Sequence, residues 1–176
     1  MSRVIIVLVF FSGFTWFLAL PSSDIHAQER GGPEHRPYLS IGGGYYDVLD
    51  EDDAIDFRLE YRFAQNLGLG IKPALTADMT SDGAIFAGLG LYRDFFVNDS
   101  LYLTPSVGVN VYDEGESGLN LGHDIEFRTQ IEAGYERANH HRISLGFSHY
   151  SNASLSEENP GTEIVTLYYH FPVSTY

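Results

Sequence analysis

The chain has 176 residues, with 24 acidic against 10 basic side chains, a formal charge of −14 and a pI near 4.6. That balance excludes a nucleic-acid partner, which needs a basic stripe to neutralise phosphates, and it disfavours docking on an anionic lipid surface unless divalent cations bridge the two. Cysteine is absent, so neither a disulfide framework nor a thiol nucleophile is available.

Residues 1–27 read as a cleaved signal peptide: Arg3 gives a basic start, Val4 to Leu20 is an almost unbroken apolar run, and Pro21-Ser22-Ser23-Asp24-Ile25-His26-Ala27 is polar and ends on a small residue. Cleavage after Ala27 leaves residues 28–176, enough for one domain. An N-terminal membrane anchor fits less well, because the run sits at the lower limit for a spanning helix and no basic stop-transfer flank follows.

Beyond the leader no segment repeats its apolar positions at a helical spacing, whereas alternation at period two recurs throughout. Eight strands are predicted, over 37–47, 54–64, 67–79, 84–95, 100–112, 124–136, 141–151 and 163–172. Most are near the roughly 9–11 residues that a tilted strand needs to cross a bilayer. The apolar positions fall on odd numbers almost everywhere. Ile55, Phe57, Leu59, Tyr61 and Phe63 share one face in the second strand, Leu67, Leu69, Ile71 and Leu75 in the third, and Leu101, Leu103, Val107, Val109 and Val111 in the fifth. Even positions are polar or small, as in Asp56, Arg58, Glu60 and Arg62, or Glu126, Arg128, Gln130 and Glu132.

Two architectures accept this alternation: a soluble lipocalin-like barrel with its apolar face inside, or an all-β, eight-stranded antiparallel transmembrane β-barrel with that face toward lipid. Three features favour the membrane barrel. Glycines crowd the even face (Gly68, Gly70, Gly88, Gly90, Gly108, Gly134, Gly146), the charges there alternate in sign, and aromatics such as Tyr45, Tyr61, Phe95, Tyr135, Tyr169 and Phe171 gather at strand ends like interfacial girdles. Longer connections at 47–54, 79–83, 112–123 and 152–162 alternate with mostly tighter ones near 65, 96–99 and 137–140, which predicts that the first set faces the exterior. Pro73 and Pro105 fall inside strands of a sheet without edges, so a bulge or a locally broken ladder is expected at each.

The last hairpin departs from simple alternation. Its lipid-facing rows read Ile143, Leu145, Phe147, His149, Ser151 going out and Glu163, Val165, Leu167, Tyr169, Phe171 coming back, so three polar groups share one face at one membrane boundary. Cross-strand neighbours lie about 4.5–5.5 Å apart, which puts the three within side-chain reach. Each alone could be a headgroup-zone residue. Together they have the chemistry of a serine hydrolase: Ser151 as nucleophile, His149 as base and Glu163 as the acid that orients the imidazole.

His149-Tyr150-Ser151-Asn152-Ala153, with Asn159 and Glu163 at this spacing, resembles the outer-membrane lipid A 3-O-deacylase family over residues 143–172. The resemblance implies a Ser-His-Glu triad on the exterior of an eight-stranded barrel, lipid A of the outer leaflet as substrate, release of a 3-hydroxy fatty acid, and in some members a homodimer. It further implies that Asn159 and a backbone N–H near Ser154 form the oxyanion hole, although the family tends to carry glycine where this chain has Ser154. No cofactor and no metal are expected: His140 and His141 lie in a turn and His170 on the lumen parity, none beside a third ligand. The alternatives are a non-catalytic outer-membrane barrel acting in adhesion or as an envelope scaffold, and a soluble carrier.

Overall fold

The computed structural model describes residues 4–11, 14–21, 36–46, 54–118 and 120–173. The expected cleavage point at Ala27, the acidic residues 47 and 50–53, and residues 174–176 lie outside them. Val4–Phe11 and Phe14–Pro21 pair antiparallel with each other and, among the described residues, with no barrel strand.

The barrel strands are β1 Tyr38–Tyr46, β2 Ala54–Arg62, β3 Lys72–Thr80, β4 Ile85–Tyr92, β5 Leu101–Asp113, β6 Ile125–Glu136, β7 Arg142–Ser151 and β8 Thr162–Pro172. Each pairs antiparallel with its neighbour in sequence, and β8 returns to β1 with Leu167 opposite Gly43, closing the sheet. Closure leaves no unpaired edge, the condition for a sheet to stand in hydrocarbon. No helix among the described residues is long and apolar enough to cross a membrane.

Polarity is inverted relative to a soluble protein. Odd-numbered Phe57 and Leu89 are 58% and 61% exposed, while even-numbered Arg62 and Glu132 are at 1% and 0%. Water would not tolerate that apolar belt, and lipid requires it. Several of the buried charges pair within the lumen. Arg58 meets Asp78 at 2.8 Å, Arg128 meets Glu60 at 3.1 Å, and Arg62 pairs with both Glu60 and Glu132. His170 sits between Ser40 (2.7 Å to Nδ1) and Ser144 (2.8 Å to Nε2). Lumen glycines make room for large neighbours, since a Cβ on Gly134 would fall 2.2 Å from the ring of Tyr102.

Three expectations need correction. The third strand starts at Lys72 and not at 67, because Leu69 and the flanking Gly68 and Gly70 have positive φ and form a turn. Gly68 and Gly70 are therefore turn residues, not lumen residues. The fourth strand ends at Tyr92; after Arg93 and Asp94 only Phe95 and Phe96 resume pairing with β5. Lastly, even positions are not all polar or small: Tyr46, Phe86, Tyr112, Tyr150 and Ile164, all even, close one end of the lumen together with Leu121.

Both prolines sit where the ladder is interrupted. The Pro73 carbonyl accepts the Phe63 N–H at 3.0 Å just beyond the end of β2, so the N–H that proline lacks would have been aimed at the Phe63 carbonyl. The Tyr92 hydroxyl donates to that carbonyl instead, at 3.0 Å. Pro105 accepts from Arg93 at 3.2 Å, at the break between β4 and Phe95.

Candidate active site

The lumen-closing cluster fixes the end of β7. Tyr150 points inward, fully buried, its ring 4.6 Å from that of Phe86 and its hydroxyl donating to Asp78. With Tyr150 locked inside, the pleat turns its two neighbours, His149 and Ser151, to the outer face.

On that face His149 lies directly opposite Glu163 of β8 and, on its other side, opposite Thr129 of β6. His149 Nδ1 and Glu163 Oε1 are 2.8 Å apart. A carboxylate accepts, so Nδ1 carries the proton in this pair and Nε2 is left as the basic nitrogen. Ser151 is two residues farther along the same row, opposite Phe127 and half-buried.

His149 is only 8% exposed, although it continues the row of exposed Ile143 and Leu145. The β7–β8 loop accounts for this. Gly161, with φ of +73°, brings its backbone so close that a Cβ there would lie 3.0 Å from His149 Cε1 and 3.6 Å from Nε2. Gly161 escaped the sequence reading, although Pro160-Gly161 is a turn signature.

The loop also holds the residues that the family resemblance implicates in binding an oxyanion. Asn159 is tied by its side-chain oxygen, which accepts the backbone N–H of Asn152 at 2.9 Å. Engagement of Oδ1 makes Nδ2 the donor end of that amide. Ser154 has φ of +64°, and Ala153 before it +51°. This is the left-handed region that glycine adopts without cost, which fits the glycine that the family resemblance implies at this place. Asn152, buried beside Ser151, was not singled out from sequence; its side-chain contacts reach outside the hairpin. No grouping of three or more metal-binding side chains exists among the described residues.

Taken together, β7 and β8 carry a hydroxyl and an imidazole with its proton held by a carboxylate on the outer face of the barrel wall, and the loop between them carries an oriented amide. The lipid A 3-O-deacylase (PagL) family model matches residues 78–172. The lipid A deacylase PagL of Pseudomonas aeruginosa is 33% identical over 91 residues, so the chain spans about half of that relative, 51%, and the match takes in 50% of the chain itself. The lipid A deacylase PagL of Bordetella bronchiseptica is 30% identical over 164 residues, 88% of this chain and 90% of that protein. In fold, the barrel resembles the crystal structure of the outer membrane enzyme PagL, with a TM-score of 0.60 at 22% identity over 77% of this chain and 99% of the other. A de novo designed transmembrane β-barrel gives a TM-score of 0.56 at 10% identity, over 80% and 98% of the two chains, a likeness of architecture alone. A family model that covers more than half of the chain, and a relative aligned over nearly its whole length, establish that this protein belongs to the lipid A 3-O-deacylase (PagL) family.

Proposed function

We propose that this protein is an outer-membrane lipid A 3-O-deacylase that uses Ser151, His149 and Glu163 as nucleophile, base and orienting acid. The observation that carries the assignment of roles is the 2.8 Å bond between His149 Nδ1 and Glu163 at the head of two lipid-facing rows. A buried polar pair on the outside of a membrane barrel has no packing purpose there and is costly to keep.

In the first half-reaction His149 Nε2 takes the Ser151 proton while Oγ attacks the carbonyl carbon of the acyl ester at position 3 of the glucosamine. Glu163 stabilises the imidazolium that forms. Negative charge develops on the carbonyl oxygen, where Asn159 Nδ2 and the Ser154 backbone N–H donate to it. Collapse breaks the bond to the sugar oxygen, which leaves with the proton from His149. Water, deprotonated by the same imidazole, then attacks the acyl-serine; collapse breaks the acyl–Oγ bond, the proton returns from His149 to Ser151, and the 3-hydroxy fatty acid leaves. No step requires a cofactor.

The end of the barrel that carries the site is assigned to the outer leaflet, where lipid A resides. Its connections include the long segments 114–124 and 152–161, in keeping with the longer external loops of such barrels. Residues 1–27 serve as the export signal in this reading.

Mass spectrometry of lipid A incubated with the refolded barrel tests the proposal. Wild type should release one 3-hydroxy acyl chain per molecule, and Ser151→Ala and His149→Ala should each lower the rate by roughly 10³-fold or more. Glu163→Ala should be severe but milder, and Glu157→Ala, in the exposed part of the loop, should stay within a few-fold. Wild-type turnover by Ser151→Ala protein that is folded by heat-modifiable gel mobility would remove the mechanism.

A further inference from the structure

The loop that bears Asn159 is tied together through Asn152. Within residues 152–161 the Leu155 N–H donates to the Asn152 carbonyl at 3.0 Å, the Glu158 N–H makes a long 3.4 Å contact to Ser156 Oγ, and Asn152 bonds both Asn159 and Glu158. Asn152 is the hub. Its backbone N–H fixes the Asn159 amide, and its buried Nδ2, which carries two hydrogens, donates one to the Glu158 carbonyl at 2.7 Å and one to the Leu121 carbonyl at 3.0 Å.

Leu121 belongs to a different loop, the one between β5 and β6. Its side chain is fully buried in the cluster that closes the lumen, together with Tyr150, which sits between His149 and Ser151. A rigid barrel plug thus presents a backbone carbonyl to the residue that follows the nucleophile. The next residue, Gly122, has φ of +86°, and an added Cβ would fall 2.3 Å from the Glu158 carbonyl oxygen and 3.2 Å from Asn152 Nδ2. The obstacle at 2.3 Å is backbone, which cannot swing aside as a flexible side chain could. Only glycine lets the two loops meet here.

We propose that the Leu121–Gly122 step of the β5–β6 loop is a positioning element for the esterase site, holding the β7–β8 loop in working shape through Asn152. The proposal rests on the assignment of Ser151 and Asn159 made above. Leu121 and Gly122 touch neither substrate nor the reacting atoms. They act by fixing the Glu158 carbonyl and the Asn152 amide, and through these the direction of the Asn159 side chain.

The same loop supplies its own control. Gly118 has φ of +74°, and nothing lies within 4 Å of where its Cβ would be. Gly118→Ala therefore imposes the same kind of backbone strain as Gly122→Ala without the collision. Both variants of the detergent-refolded barrel, matched for heat-modifiability, are compared with wild type in two readouts: kcat and KM on lipid A, and exchange of the Asn152 amide proton by NMR. Gly122→Ala should lower kcat about tenfold or more with KM within about threefold, because a misplaced donor weakens the transition state more than substrate binding. Its Asn152 amide should exchange about tenfold faster, as expected when a protecting bond opens more often. Gly118→Ala should change neither by more than about twofold. Equal losses in both variants would assign the effect to backbone strain and overturn the proposal, as would an unchanged Asn152 amide in Gly122→Ala. Wild type inert on lipid A, with Asn152 exchange still raised in Gly122→Ala alone, would keep the loop coupling and remove the esterase reading.

Discussion

Gly161 and Ser154 show opposite uses of left-handed backbone within a single loop. Gly161 needs both its φ of +73° and its missing side chain, since a Cβ would press on His149 Cε1 and on the Tyr150 carbonyl, each at 3.0 Å. The imidazole is already held at Nδ1 by Glu163, so a push from Gly161→Ala would tilt the ring or break the Glu163 bond. Gly161→Ala should therefore lower kcat about tenfold or more while the barrel stays folded, as read by deacylation rate and gel mobility together. Ser154→Gly is the mirror case. It retains the backbone N–H and removes the strain of a non-glycine residue at φ of +64°. Activity should stay within a few-fold of wild type, and a large loss would mean that the Ser154 hydroxyl, and not its N–H, matters.

At the level of strands, the compensation of Pro73 by Tyr92 makes a direct test. Tyr92→Phe leaves the ring in place, beneath the Arg62 guanidinium at 5.2 Å, and removes only the bond to the Phe63 carbonyl. It should cost about 1 kcal/mol in reversible urea unfolding in wild type, and markedly less in a Pro73→Ala background, where the restored N–H can bond Phe63. Equal costs in both backgrounds would mean that the hydroxyl does not stand in for the missing N–H. Sequence parity predicted which residues of each strand share a face, because period two survives small errors in strand ends. It could not locate those ends. Leu67, Leu69 and Ile71 keep the odd parity through what is in fact a turn, and Leu91 keeps it up to a break that only the Arg93–Asp94 geometry reveals. The hairpin that carries His149, Ser151 and Glu163 was legible because polar residues interrupt an apolar row at matching heights. Gly161, Gly122 and Asn152 were not, since what makes them matter is contact with carbonyls and rings distant in the chain.

For the molecule as a whole, the deciding property is which side of the wall is apolar, and strand alternation alone accepts two architectures that differ only in that respect; glycines, alternating charges and terminal aromatics favoured the membrane barrel. Even-numbered Arg58, Glu60, Arg128 and Glu132 are all buried, while odd-numbered Leu59, Leu89, Val109 and Leu167 are exposed around the barrel. Isolated buried charges would be ruinous, but these occur as a network in which Glu60 receives both Arg62 and Arg128 and Glu132 receives Arg62 and lies 3.3 Å from His170. A narrow barrel needs such a filling, because a lumen of this strand number is just wide enough to be packed by side chains. It follows that single cysteines with an attached fluorophore should divide by parity when the protein is reconstituted in vesicles containing a lipid-borne quencher. Probes at 59, 89, 109 and 167 should be quenched. Cysteines at 58, 60, 128 and 132 should resist labelling in the folded barrel, and truncating either partner of a buried pair should also destabilise it by about 3–5 kcal/mol. The two outcomes are linked: a charge that labels readily cannot also be a buried partner. Ready labelling of the even set, with the odd set unquenched by lipid, would turn the barrel inside out and place His149, Ser151 and Glu163 in its lumen, away from any acyl chain in the bilayer.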